Sequence, residues 1–336
     1  MPLDARQFAP LVDAYGRTVT YLRMSVTDRC DLRCTYCMAE HMVFMPKKNL
    51  LSIEELARLG DAFIRRGARK LRLTGGEPLV RRGVIDLIGD LSKHLRTGAL
   101  DEITLTTNGT QLARHAEALA SFGVRRVNVS LDTLDPVRYA QVTRRGVIEK
   151  TLEGLDAAQT ARLSVKLNAL AGRGPFEAEV DDLIRFAHGR GMDLTLIEEM
   201  PMGATGLNRS ETFLALDELR CDLSKRWTLT DLSHNTGGPA RYVKVGETGG
   251  RLGFISPMSC NFCSLCNRAR LSATGRLYTC MGQEGSVDLK PALRDDVAQL
   301  DLLLRQAVAA KPSGHNFQTQ TVARPSVRRF MSDLGG

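Results

Sequence analysis

A chain of 336 residues with 43% hydrophobic and 25% charged residues, 30 Gly and 12 Pro has the composition of one large or two medium folded domains, which excludes disordered, collagenous and mini-scaffold classes. Lys and Arg number 46 against 38 Asp and Glu, a net charge of +8, so an anionic substrate fits the balance. No apolar run reaches the roughly 18 residues of a membrane helix, and residues 1–16 lack the pattern of a secretion signal, so the expected location is cytoplasmic, with no membrane partner.

Residues 17–200 alternate strand-like and helix-like segments. Strands are expected at 19–26, 71–74, 103–106, 127–131, 165–170 and 194–198, from their β-branched content. Helices are expected at 52–66, 84–95, 112–122, 147–161 and 178–190, the first opened by a capping box of Ser52 and Glu55. This is an α/β pattern with a parallel sheet, open or curled into a partial barrel. After a linker at 203–210, a helix is expected at 214–224, short strands at 227–232, 242–245 and 252–255, and a helix at 292–309.

The unusual residues sit at or just beyond the C-terminal ends of the six strands, where parallel α/β folds build their active sites. Cys30, Cys34 and Cys37 follow the first, Gly75-Gly76-Glu77-Pro78 the second, and Thr106-Thr107-Asn108-Gly109 the third. Ser130-Leu131-Asp132 ends the fourth, Lys166 and Asn168 lie on the fifth, and Glu198-Glu199-Met200 ends the sixth.

Seven of the eight cysteines fall in two groups, which in a reducing compartment points to metal rather than disulfides. Cys30-x-x-x-Cys34-x-x-Cys37 needs a loop wrapped round its ligand. Structural zinc wants four protein ligands, and His41 is the one nearby candidate for the fourth. Three thiolates instead suit a four-iron cluster with one open iron. In the second group, Cys263, Cys266 and Cys280 repeat the triplet, while Cys260 could complete a four-cysteine zinc site, so ligand count alone leaves both metals open.

The Cys30–Cys37 motif with Tyr36 before its last cysteine, followed by the Gly75-Gly76-Glu77-Pro78 turn, resembles the radical S-adenosylmethionine (SAM) superfamily. The stretch from Phe262 to Leu271, the segments around Arg23, Arg72, Thr106 and Asn128, and the closing Gly335-Gly336 resemble, more narrowly, the GTP 3′,8-cyclase family of molybdenum cofactor biosynthesis. The resemblance implies a partial (βα)6 TIM-type barrel over 17–205 after an N-terminal arm at 1–16. It implies a smaller α+β domain at 206–336, carrying a second iron–sulfur cluster, GTP contacts and a Gly-Gly tail.

It also implies two [4Fe–4S] clusters, on Cys30, Cys34 and Cys37 and on Cys263, Cys266 and Cys280. SAM would lie against Tyr36, Gly75, Gly76, Glu77, Ser130 and Met200, and GTP against Arg23, Arg72, Thr106, Lys166, Arg268 and Arg270. Gly335 and Gly336 would reach the active site. The implied chemistry is reductive cleavage of SAM, abstraction of the C3′ hydrogen of GTP and attack on C8, giving 3′,8-cyclo-7,8-dihydro-GTP. Implied partners are a reductase or flavodoxin-type electron donor and cyclic pyranopterin monophosphate synthase as product acceptor; a homodimer is compatible.

Three positions depart from the family pattern: Thr195 where Arg is expected, Ala39 where Pro is expected, and the additional Cys260. Two rivals stand beside this reading. A peptide-modifying radical SAM maturase would carry more downstream cysteines and an N-terminal peptide-binding region. A zinc-stabilised nucleic-acid binder fits the basic charge, but aromatics at 5% with one Trp leave few stacking platforms, so no nucleic acid partner is expected.

Overall fold

Polar and apolar side chains alternate along the strands at the centre of the molecule, and both sets are buried. The computed structural model describes residues 9–206, 208–260, 262–295, 297–317 and 325–335. Six strands, β1 (Tyr21–Ser25), β2 (Lys70–Thr74), β3 (Glu102–Thr107), β4 (Arg126–Ser130), β5 (Ser164–Ala171) and β6 (Asp193–Glu198), pair in parallel in chain order. Between them run α1 (Ile53–Arg65), α2 (Val84–Arg96), α3 (Ala116–Ser121), α4 (Pro136–Thr143), α5 (Ile148–Thr160) and α6 (Pro175–Gly189).

One face of the strands is apolar. Leu22, Met24, Leu71, Leu73, Leu105, Val127, Val129, Leu167, Leu194 and Leu196 are fully buried in one core with Leu56, Leu59 and Phe63 of α1, Leu87 and Leu91 of α2, Leu155 of α5 and Leu183 of α6. Each such side chain contributes about 1.5–3 kcal/mol by leaving water. The other face carries Arg23, Arg72, Thr104, Asn128, Lys166, Asn168 and Thr195, which alternate with the apolar set as the pleat requires. In a flat sheet β1 and β5 would stand roughly 19 Å apart, at about 4.8 Å per strand. Side chains from β1, β2, β3, β5 and β6 nevertheless line a single cavity, so the sheet curls and its polar face becomes the inside of an open barrel.

The remainder of the chain extends this sheet at both edges. After α7 (Arg209–Thr212) and α8 (Leu216–Leu223), strands β7 (Leu229–Leu232), β8 (Arg241–Val245) and β9 (Arg251–Ile255) form an antiparallel meander whose last strand pairs in parallel with β6. Strand β10 (Arg268–Leu271) pairs in parallel with β1, followed by β11 (Arg276–Tyr278) and β12 (Val287–Asp288). The result is one twelve-stranded mixed sheet. Helices α9 (Lys290–Asp295), α10 (Val297–Ala309) and α11 (Met331–Leu334) complete the described chain.

The capping box at α1 is present, with Glu55 N–H donating to Ser52 Oγ at 3.1 Å and Ser52 N–H to Glu55 Oε2 at 2.8 Å. Several elements differ from expectation. The helix expected at 112–122 is a 3₁₀ turn at Leu112–Arg114 followed by α3, and that at 292–309 is divided into α9 and α10. The sequence reading lacked α4, whose start is signalled by Asp135, an N-cap accepting from Arg138 N–H at 2.7 Å, and by Pro136 at N1. It also lacked β10, β11 and β12 as strands. No described helix is long and apolar enough to cross a membrane.

Candidate active site

The first cysteine loop is held by backbone on two sides and by a side-chain bond on a third. At the end of β2, Gly76 N–H donates to Thr27 O and Glu77 N–H to Arg29 O, both at 2.8 Å. A Cβ on Gly75 would stand 2.6 Å from Thr27 O, and one on Gly76 would overlap Arg29 O, so only glycine permits this approach. On the far side, Arg33 N–H and Thr35 N–H donate to Thr143 O and Val142 O at the end of α4, each at 2.9 Å. Tyr36 OH donates to Asp132 Oδ2 at 2.7 Å, while Asp132 Oδ1 accepts from Leu170 N–H at 2.8 Å, tying the loop to the ends of β4 and β5.

Glu77 is fully buried and its carboxylate is spent on the protein. It accepts from Leu79 N–H at 3.0 Å, Thr107 Oγ1 at 2.8 Å and Asn108 N–H at 2.7 Å. Burial pushes its carboxyl up to about 7 against these lowering hydrogen bonds. Gly75, Gly76 and Glu77 thus lie behind the cavity wall, whereas Tyr36, Ser130 and Met200 line it.

Cys30, Cys34 and Cys37 are free, half-buried thiols that raise one another's pKa. Burial is the larger cause, lifting Cys37 to about 12 and the other two further, with the Glu77 charge adding at Cys30. Such thiols become thiolates when a metal takes each sulfur, as the irons of a cluster do. Among the described residues no three Cys, His, Asp or Glu side chains converge on one ion's position. Three free thiols on one loop are the donor chemistry that an iron–sulfur cluster takes.

All six residues expected to meet GTP are on the cavity wall. Register explains their grouping. Arg23 stands opposite Arg72 on β2 and Arg270 on β10, and one rung below, Tyr21 stands between Lys70 and Arg268. Glu102 pairs with Lys70 and Arg126, but among the described residues Arg23, Arg72, Lys166, Arg268 and Arg270 form no ion pair with a carboxylate. Burial first, then repulsion from neighbouring cations, lowers the pKa of Arg23 to about 10 and that of Arg270 and Lys166 well below the usual values, and burial with Arg126 lowers that of Arg72. At Tyr21 burial alone would raise the phenol, yet Arg72, Arg23 and Lys70 outweigh it and lower it. A desolvated cation cluster of this kind is built to receive a polyanion.

Cys263, Cys266 and Cys280 line the same cavity, and Cys260 is not among its wall residues. Burial raises Cys280, helped by Cys263 and Cys266, whereas Cys266 is lowered to about 7 because Arg268 and Lys311 overcome its burial. The approach to this loop is anchored by Glu198, fully buried, which accepts from Met258 N–H at 2.8 Å, Ser259 N–H at 3.0 Å, Leu216 N–H at 3.0 Å and Ser259 Oγ. Gly335 abuts Thr74 at the end of β2, and its carbonyl accepts from Arg270 Nη1 at 2.8 Å. Gly336 lies outside the described residues.

Thr195, where Arg was expected, has a buried hydroxyl with no hydrogen-bond partner in the described structure. Beside it Gly253 makes room for Tyr242, whose OH accepts from Lys166 Nζ at 3.2 Å. Tyr242, Arg17 and Lys311 are site residues that sequence reasoning missed.

The radical SAM superfamily model matches residues 24–187, and the molybdenum cofactor synthesis C model matches residues 192–317. The GTP 3′,8-cyclase of Rhizobium etli (strain CIAT 652) is 58% identical over all of this chain and 97% of its own length. That of Brucella abortus (strain S19) is 58% identical over 97% of this chain and 96% of its own. The chain belongs to the GTP 3′,8-cyclase family.

Its fold is shared with Streptococcus suis SuiB, solved bound to S-adenosylmethionine, at a TM-score of 0.62 and 14% identity over 95% of this chain and 78% of that one. Membership of the radical SAM superfamily brings SAM and a [4Fe–4S] cluster.

Proposed function

We propose that this cyclase-family chain converts GTP to 3′,8-cyclo-7,8-dihydro-GTP in the first step of molybdenum cofactor biosynthesis. The observation that carries the reading is a lumen in which Arg23, Arg72, Lys166, Arg268 and Arg270 lie, without carboxylate partners among the described residues, within the same cavity as Tyr36 and Cys263, Cys266 and Cys280. Two unit charges about 4 Å apart attract by roughly 4 kcal/mol at an intermediate dielectric, so such a cluster offsets the desolvation of a triphosphate.

In this reading residues 17–205 hold SAM and the first cluster, on Cys30, Cys34 and Cys37, and residues 206–336 hold a second cluster on Cys263, Cys266 and Cys280. When bound, the first cluster and SAM supply the radical chemistry that opens the C3′–H bond of GTP for bond formation to C8. The chain positions and excludes. Arg23, Arg72, Lys166, Arg268 and Arg270 bind GTP's phosphates and ribose, Thr106 adds a hydroxyl, and Tyr36, Ser130 and Met200 pack against SAM. Gly75, Gly76 and Glu77 act from behind, by fixing the loop that carries Cys30. Met202, Val327 and Leu334 form a small core with Met200, Tyr278 and Met331 beside the cavity, which seats Gly335 and keeps water out. The enzyme works in the cytoplasm, with a reductase or flavodoxin-type donor supplying the electron and cyclic pyranopterin monophosphate synthase taking the product.

Anaerobically reconstituted protein given SAM, dithionite and GTP is expected to form 5′-deoxyadenosine and the cyclised nucleotide in step. Absence of both from protein with intact clusters would overturn the reading.

A further inference from the structure

Lys311 follows α10 and is only 3% exposed. Its Nζ donates to Cys266 Sγ at 3.4 Å, Arg268 O at 2.7 Å and Thr279 O at 2.6 Å. Three acceptors take three N–H bonds, which only the ammonium form supplies. A buried ammonium requires a nearby anion. The ionisable groups facing Lys311 are the sulfurs of Cys266 and Cys280, which ligation to a cluster would make anionic, while Arg17 faces it as a second cation. Arg17 also fixes the adjoining backbone: Nη1 donates to Ser313 O at 2.9 Å and to Cys263 O at 2.7 Å, and Nη2 to Pro312 O at 2.5 Å. The lysine is therefore held against one specific cysteine sulfur by its own contacts and by a strap that reaches the same cysteine loop.

Resting on the assignment of a second cluster to Cys263, Cys266 and Cys280, we infer that Lys311 is that cluster's charge partner and raises its reduction potential. A cation donating to a ligating sulfur stabilises the more negative, reduced state, and hydrogen bonds to cluster sulfurs are among the main determinants of potential. A lysine serving packing alone would fill this space equally well as an uncharged chain.

The test is an EPR-monitored redox titration of the full-length reconstituted chain carrying Cys30→Ala, Cys34→Ala and Cys37→Ala, so that the second cluster is the sole signal. Lys311→Met is expected to shift the midpoint downward, and Lys311→Arg to restore most of the shift. An unmoved midpoint in Lys311→Met, or equal shifts in both variants, would overturn the charge role. If Lys311→Met does not hold iron, the arginine variant decides alone: iron retained near the parental potential supports the role, and iron lost overturns it. Iron analysis of the parent separates the two layers, because a parent without iron overturns the second cluster itself.

Discussion

Arg23 and Arg270, one near each end of the chain, face each other on a single rung of the adjacent parallel strands β1 and β10. After burial, Arg23 lowers the pKa of Arg270, and Arg72, which closes the rung on the other side, lowers that of Arg23. Arg270→Ala removes one of the mutually repelling charges, so the nucleotide-free chain should melt no lower than wild type despite losing the bond to Gly335 O. A charge-assisted contact to phosphate is worth about 1.5–3 kcal/mol, so GTP affinity should fall about 10–100-fold. Anaerobic calorimetry beside thermal melts checks both halves; stability lost with GTP affinity kept would contradict the assignment.

Much of this site was legible in the sequence because its parts are local. Each strand of the barrel is followed within a few residues by its motif, so Cys30, Gly75, Asn108 and Asp132 announce the functional rim in chain order. What stayed hidden is non-local. Arg268-Ala-Arg-Leu reads as a polar segment, and nothing near it says that it pairs with β1. Lys311 looks like a helix-end lysine until its distance to Cys266 is known. The resemblance implies a SAM contact at Glu77, and its three internal donors, from Leu79, Thr107 and Asn108, become visible only once β2 and β3 are side by side.

Tyr36 sits between Cys34 and Cys37 and donates to the partly buried Asp132. Tyr36→Phe leaves that carboxylate with Leu170 N–H as its one remaining donor of the two, a loss of about 1–3 kcal/mol that is felt by the cysteine loop. Iron bound at the first triplet should leach faster on dialysis than in wild type, with the Cys263 triplet unaffected. Equal retention at both triplets would show that the hydroxyl does not hold the loop.

Glu77 gives a pH signature. Its carboxyl titrates near 7 in the folded chain against 4.5 when free, so the folded state holds the proton more tightly. Stability from this group is complete below about 4.5 and is lost as pH rises through 7, by about 3 kcal/mol in total. Glu77→Gln does not titrate. Urea melts between pH 4.5 and 8 should therefore show wild type losing ground against the variant by about that amount, and a constant difference would refute the shift.

Gly253 controls the Lys166 corner. A methyl there would lie 2.9 Å from both Thr195 Oγ1 and Tyr242 Cε1, so Gly253→Ala must displace the tyrosine whose hydroxyl meets Lys166. GTP binding should weaken about 10-fold, the scale of one polar contact, while slow SAM cleavage without GTP continues. If cleavage without GTP falls by the same factor, the corner does not serve GTP.

The two cysteine triplets differ in charge environment, and metal-free protein should display it chemically. Cys30 is pushed far above neutrality by burial, Glu77 and Cys34, Cys34 by burial and Cys37, and Cys37 to about 12, whereas Arg268 and Lys311 bring Cys266 down to about 7. Alkylation consumes the thiolate, so at pH 7.5 more than half of Cys266 is reactive and very little of the first triplet is. Iodoacetamide followed by peptide mass spectrometry should label Cys266 well before Cys30, Cys34 and Cys37, and Cys266 labelling should slow as pH falls to 6, where it is mostly protonated. Labelling of all four at one rate would mean that Arg268 and Lys311 do not act on the sulfur they face.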